Sequence, residues 1–579
     1  MNHSATAVRI LPDTSGPDKE FDYLVPEGVQ AQVGSPVRID LAGRRVGGWV
    51  VGTSPPSVEL TTLKPLAVVA GLGPDREIVD LCGWAAHRWA GRRSQFLTTA
   101  TPPRRVPAVA SPALSAIMPS PVSPATQRLV ESGGGVVQLP PCSDPLPTVW
   151  AALRHGPVLV VVPGVDDAML LAARIRRAGP SVARWPDDFA AAAGGVDVII
   201  GTRSAAFARV AHLGSIVLID EHDERLQSEA APTWHARDVL AERARRRDIP
   251  FILTSPVPTP DAVKGRLVEA PSAERRRRGW PETVIIERGG DEPWARSMLS
   301  SELIAELRDP QRRVVAVLNV TGRSRLMACA SCSELARCET CGHAVRSVAR
   351  STLVCGACGT ERPLVCRSCG SGRFRNLRPG VDRLAEEFAA AANRDVVIAT
   401  AASEIDRLPG AEADVIVGTE AVLHRVHSAD TVAILDADSE LLAPRFRAGA
   451  EFLGMVAAAA RLAGPSTAGG RLMIQTSLID HPAIRALAVY DPTIASTADD
   501  ALRTALGLPP HGAVAVISGA GASTFAQQLA GSSDVHTASD GDRILVKAST
   551  VELLADALSA AERPLGKRLR VAVDPARGA

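Results

Sequence analysis

Short apolar runs broken by turn residues open the chain. Ala7 to Leu11, Val37 to Leu41 and Val46 to Val51 have strand length, and Pro26-Glu27-Gly28, Gly34 and Gly43 stand between them. This rhythm predicts a small β-rich domain over residues 1–105, closed by a helical stretch from Glu77 to Arg92. From Thr101 to Thr126 seven prolines fall among Ala and Ser, so residues 106–140 read as an extended, unpacked linker. The period then changes. Val158 to Val162, Val196 to Ile200, Ile216 to Ile219 and Phe251 to Leu253 are continuous apolar runs, with helical segments such as Asp167 to Arg177 and Ala236 to Arg246 between them. Buried strands alternating with helices predict a parallel α/β lobe over 141–285. A second series, Val314 to Leu318, Val396 to Ala399, Val415 to Val417, Val432 to Leu435 and Arg471 to Gln475, predicts another lobe over 286–500. A cysteine-rich insertion at 327–372 interrupts it after its first strand, and residues 501–579 read as a small α+β domain. The expected class is therefore α/β and multidomain, with a β-rich N-terminal domain, two α/β lobes, a cysteine-rich insertion and an α+β tail.

Composition changes this picture little. Of 579 residues, 46% are apolar and 22% charged, which is ordinary globular composition and excludes wholesale disorder. No run approaches the roughly 18 apolar residues of a membrane span, and no secretory pattern opens the chain, so a cytoplasmic protein is expected. The net charge of +1 excludes a globally basic nucleic-acid binder; such a site must be a local patch. The basic set is nearly all arginine, with lysine only at 19, 64, 264, 547 and 567.

Cysteine is the sharpest chemical signal. Eight of the ten fall at Cys329, Cys332, Cys338, Cys341, Cys355, Cys358, Cys366 and Cys369, as four Cys-x-x-Cys turns. Two such turns complete a tetrahedral four-thiolate zinc site, so four turns predict two zinc ions per chain. Redox-active pairs are the competing reading, but redox pairs do not usually come four at once. Joining the first turn to the second leaves only five residues between them, which is cramped. Nested or interleaved pairing remains. Nesting, the arrangement carried forward, puts Cys329, Cys332, Cys366 and Cys369 on one ion and Cys338, Cys341, Cys355 and Cys358 on the other. With every position filled by sulfur, the ions are structural and hold a segment too small to fold by core burial.

In the first lobe, Gly201-Thr202-Arg203-Ser204 follows one strand and Asp220-Glu221-His222-Asp223 follows another. A strand ending in Asp-Glu matches the Walker B pattern, whose aspartate holds a nucleotide's magnesium. With Trp234-His235-Ala236-Arg237-Asp238 and the cysteine spacing, these residues resemble the PriA family of replication restart helicases (primosomal protein N′). Phe21 to Gly28, Gly418-Thr419-Glu420, Phe446-Arg447 and Leu508-Pro509-Pro510 carry the resemblance along nearly the whole chain. It implies an N-terminal 3′-end DNA-binding domain, two RecA-like helicase lobes and a two-zinc insertion. It also implies a role at abandoned replication forks. The partners implied are forked DNA, single-stranded DNA or 3′ ends, primosome and helicase-loading proteins, and single-stranded-DNA-binding protein. Asp22 takes the place of the family's 3′-end contact, with Tyr23 beside it to stack on a base, and Arg44 and Arg45, with Arg9 and Arg38, to meet phosphates. Phe21 and Leu24 read as core.

The motor parts depart from the family. Its P-loop lysine reaches the β- and γ-phosphates. Here the segment reads Gln138 to Pro147, with four prolines, no glycine, and no lysine anywhere between Lys64 and Lys264. Asp220 and Glu221 remain as a degenerate Walker B for ATP and magnesium, one residue short of the family's Asp-Glu-Glu-His. The arginine-finger positions hold Ala459 and Leu462, while Arg461 lies one residue away, about 100° around the helix. An arginine finger alone is worth about 10³ to 10⁵ in rate. The reading is a fork-binding restart protein that recruits partners without hydrolysing ATP, unless Arg203 replaces the missing lysine. Its rivals are an active 3′-to-5′ helicase and a zinc-stabilised interaction scaffold without DNA binding.

Overall fold

A computed structural model describes residues 6–14, 16, 18–54, 60–288, 298–318, 327–332, 334–349, 352–355, 358–376, 381–399, 413–541, 543–564 and 568–576. The N-terminal strands form a five-stranded antiparallel sheet in the order Phe21–Val25, Thr6–Pro12, Arg44–Thr53, Pro36–Leu41, Val68–Val69. Strand period puts Val8, Ile10, Tyr23, Val25, Val37, Ile39 and Val50 on one buried face. Helices Arg76–Arg88, capped by the Asp75 carboxylate on Ile78 N–H, and Arg93–Ala100 then pack onto the first lobe, sharing its core.

The first lobe is a seven-stranded parallel sheet: Val268–Glu269, Gly134–Gln138, Phe251–Ser255, Ser215–Leu218, Val158–Val161, Val198–Gly201, Val182–Arg184. Its central strands are buried on both faces because helices cover both, which is why they read as unbroken apolar runs. The second lobe is a six-stranded parallel sheet, with the insertion leaving after Val314–Val317 and returning before Val396–Ala399. The tail carries a four-stranded antiparallel sheet with helices Ala522–Leu529 and Val551–Ala560. The expected α/β multidomain class is what the chain adopts. Among the described residues no helix is long and apolar enough to cross a membrane.

The 106–140 stretch differs from the unpacked linker expected. Residues 106–123 are extended but lie on the first lobe: Ala110 N–H donates to Ala190 C=O (3.0 Å), Ala113 N–H to Gly195 C=O (2.9 Å), and Ser115 N–H to the Asp197 carboxylate (3.0 Å). A helix, Pro124–Glu131, follows, and Gly134–Gln138 is an inner strand of the lobe's sheet, so that sheet begins before residue 141. The glycine run that reads as loop is strand because neighbours crowd it. A Cβ at Gly134 (φ +127°) would lie 2.4 Å from the Phe251 carbonyl oxygen.

Candidate nucleotide cleft, cysteine groups and nucleic-acid interface

In parallel sheets ligands bind beyond the carboxyl ends of the strands. At that edge of the first lobe lies the Pro140–Pro145 segment. Leu139 N–H is spent on Ser255 C=O (2.9 Å), Cys142 N–H on Gly279 C=O (3.1 Å) and Ser143 N–H on Pro140 C=O (2.9 Å). Three further positions of the loop, Pro140, Pro141 and Pro145, have no N–H to give. These amides therefore do not line a phosphate cradle.

Asp220, at φ +57° just beyond strand Ser215–Leu218, is gripped from the second lobe. Both Arg461 terminal nitrogens donate to its two carboxylate oxygens at 2.5 Å each, and Arg461 Nε donates to Pro141 C=O at 3.0 Å. Arg461 lies on helix Ala448–Ala463, whose Ala460 C=O also accepts from the Cys142 Sγ–H at 3.4 Å. Arg461 thus faces the cleft, where the helical rotation had turned it from a finger's role. It joins the Pro140–Pro145 segment to the Asp220 carboxylate beyond strand Ser215–Leu218. A bidentate arginine occupies both oxygens of this carboxylate, the one the sequence expectation assigned to magnesium.

Glu221 points elsewhere. It is buried and accepts from Thr259 N–H and Oγ–H, both at 2.9 Å, with Arg237 at 3.6 Å. Burial pushes its carboxyl up to about 7 against the pull of Arg237 and Thr259. Arg203 does not stand in for a P-loop lysine. It donates to the carbonyls of Arg225 (3.2 Å) and Gln227 and lies 5.5 Å above the Trp234 ring.

A second, deeper junction escaped sequence reasoning. Asp261 of the first lobe receives Arg503 Nη1 at 2.6 Å, Arg447 at 3.5 Å and Arg237 at 3.8 Å. Arg447 also reaches Asp574 at 2.8 Å, and Arg503 reaches Asp499 at 2.6 Å. First lobe, second lobe and tail therefore meet on one ion network. Burial by itself would raise the Asp261 carboxyl; Arg447, Arg237 and Arg503 outweigh it and hold it well below the usual carboxylate range. Phe446-Arg447 was visible as a motif, but no local signal names partners 127 and 186 residues apart.

The eight clustered cysteines gather as two sets, Cys329, Cys332, Cys366, Cys369 and Cys338, Cys341, Cys355, Cys358, with the sulfurs of each set within 4.8 Å of one another. Sulfurs of Cys329 and Cys369 lie 3.5 Å apart, and those of Cys338 and Cys358 3.4 Å apart. Tetrahedral zinc at about 2.3 Å per thiolate spaces sulfurs by about 3.8 Å, so both sets fit one ion each with small adjustment. The arrangement is the nested one. Glycines at 342, 359 and 370, with φ of +73°, +73° and +74°, follow three second cysteines and permit the turn.

On the N-terminal sheet, Asp22 accepts from Ser54 Oγ–H at 2.6 Å and lies 3.8 Å from Arg9. Its carboxylate is thereby aimed outward on an edge strand. Tyr23 is not available to stack: it is 4% exposed, and its hydroxyl donates to Asp40 C=O at 3.0 Å. Alternation along the strand sends Tyr23 and Val25 inward with Phe21 packed against them, and Asp22 and Leu24 to the other face, so Phe21 joins the core as expected and Leu24 does not. Arg44 and Arg45 are exposed at a tight hairpin with Ala42 and Gly43 at positive φ, and Arg45 pairs with Asp40 at 3.6 Å.

Residues 9–102 match the family model of the PriA 3′ DNA-binding domain (3′BD). The chain is 28% identical over 572 residues to the probable replication restart protein PriA of Mycobacterium tuberculosis, covering 87% of this chain and 85% of that one. It is 27% identical over 352 residues to the replication restart protein PriA of Bacillus subtilis, covering 56% and 43%. Among solved structures, the DUF1998 helicase MrfA bound to DNA aligns with a TM-score of 0.35 and 10% identity, over 80% of this chain and 69% of that one.

Proposed function

We propose that this chain, 28% identical over most of its length to PriA replication restart proteins, binds abandoned replication forks and recruits replisome-loading partners without hydrolysing ATP. The observation that carries this reading is the Arg461–Asp220 pair. It occupies the carboxylate that a Walker B reading assigns to magnesium, and beside it the Pro140–Pro145 loop has no lysine, three prolines without an N–H, and its Cys142 and Ser143 amides spent on carbonyls. Opening that pair to admit nucleotide would cost two charge-assisted hydrogen bonds, with no lysine to offset them. Fork binding is supported by the 3′ DNA-binding match and by Asp22, held outward by Ser54 and Arg9 where it can meet a strand's terminal hydroxyl. In this reading each cysteine set holds one zinc ion, which cross-links the insertion and leaves no coordination site for chemistry.

The test is nucleotide turnover by the purified full chain, with and without forked DNA carrying a 3′ end at the branch. Turnover is expected to stay at the level of the Asp220→Ala variant in both conditions. DNA-stimulated hydrolysis that disappears in Asp220→Ala would instead establish the active-helicase reading. A mobility shift on the same fork separates the proposal from a scaffold that no longer binds DNA.

A further inference from the structure

The helix Ala273–Arg278 joins the two lobes and reads AERRRR. At 100° per residue, Arg276 points opposite to the mean direction of Arg275, Arg277 and Arg278, which span an arc of about 160°. The structure follows this geometry. Arg276 is inward and pairs with Asp491 at 3.4 Å, while the other three arginines are exposed. Among the described residues, Arg278 pairs only with Glu274, at 3.6 Å, with both side chains more than 70% exposed, a contact that solvent screens. Among the described residues no carboxylate lies within ion-pair distance of Arg275 or Arg277.

Arginine-rich composition does not by itself produce such a face. The chain has a second run, Arg245-Arg246-Arg247, ending helix Ala236–Arg247, and there every guanidinium has a carboxylate partner. Arg245 and Arg246 bind Glu242 at 2.9 and 2.7 Å, and Arg247 binds Glu77. In the interlobe run, among the described residues, only Arg276 and Arg278 have a carboxylate within ion-pair distance.

We propose that Arg275, Arg277 and Arg278 form a second DNA footing that grips backbone phosphates, in addition to the N-terminal domain. Guanidinium forks suit phosphate oxygens, and three on one outward arc can follow a strand. Position fits a fork. The helix follows the edge strand Val268–Glu269, whereas the N-terminal helices pack near Arg203–Phe207, after strand Val198–Gly201 five places across the sheet. The strands these two elements neighbour stand five places apart in the sheet, about 24 Å at 4.8 Å per strand. This inference rests on the fork-binding reading above.

The experiment is the salt dependence of forked-DNA binding by the full chain. Against wild type, Arg275→Gln/Arg277→Gln/Arg278→Gln is expected to make the slope of log affinity against log salt shallower by about 2 to 3, near 0.9 per lost phosphate contact. Arg277→Gln alone should remove about 1, and covers the case in which the triple variant folds poorly. Arg245→Gln/Arg246→Gln, whose arginines share the Glu242 carboxylate, should change the slope less than the triple variant does. If wild type binds the fork and the triple variant keeps its slope and affinity, the second footing is wrong while the fork-binding reading stands; a face for an acidic protein would give that result. If wild type does not bind the fork, both readings fall.

Discussion

Asp261→Ala is expected to cost about 3–5 kcal/mol, the range seen when one partner is removed from a buried ion pair. The reason is what it leaves behind. Asp261 is the shared anion for Arg237, Arg447 and Arg503, and the Arg503 side chain is fully buried. Arg503 keeps Asp499 and Arg447 keeps Asp574, but each loses a partner in a place water does not reach. A fall of several degrees in the thermal midpoint, with faster hydrogen exchange in helices Ala448–Ala463 and Thr493–Leu506, is the expected readout. Asp261→Asn should be milder, because its amide oxygen still accepts from Arg503. The difference from wild type should also depend on pH. The Asp261 carboxyl is depressed in the fold, so its contribution is complete above its ordinary value of 3.8 and is lost as pH falls below that toward the depressed value. Wild type and Asp261→Ala should therefore converge in acid. A variant as stable as wild type at neutral pH would show that the three bodies do not depend on this junction.

The second large effect is metal removal. Two zinc ions per chain are expected by elemental analysis. Apparent binding energies of structural zinc sites, about 10–16 kcal/mol, far exceed what the small apolar cluster of Met327, Ala336, Val345 and Leu353 can supply. Chelation should unfold the insertion and expose it to protease while leaving the first lobe intact, since the first-lobe cores contain no insertion residue, whereas Ala344 and Leu335 pack into the second-lobe core. Pairing is testable in the same assay. Cys329→Ser/Cys366→Ser removes two ligands from one set and should retain one ion. Cys329→Ser/Cys338→Ser strikes both sets and should retain none. Equal zinc content in the two double variants would contradict the nested arrangement.

Much of the fold could be read along the chain because the determining interactions are local or periodic. Strands such as Val158–Val161 and Val415–Gly418 are covered by helices on both faces, so they are apolar throughout and stand out without partners. Gly134–Gln138 was hidden because its glycines answer crowding by Phe251 and Leu267, residues more than a hundred positions away. Tyr23 shows the opposite case. Strand alternation alone would have placed it inside, and the family resemblance drew it toward a base.

Residue order by itself settled the two-lobe architecture, the eight thiolates and the missing phosphate lysine, since each is a matter of which side chains exist and how far apart they stand. Which lone arginine fills the cleft, and which carboxylate gathers three others, was decided only when the lobes closed. Arg461 and Asp220 are 241 positions apart, and charge choosing a partner over that separation depends on which surfaces packing brings together and dries. No spacing rule along the chain encodes that choice.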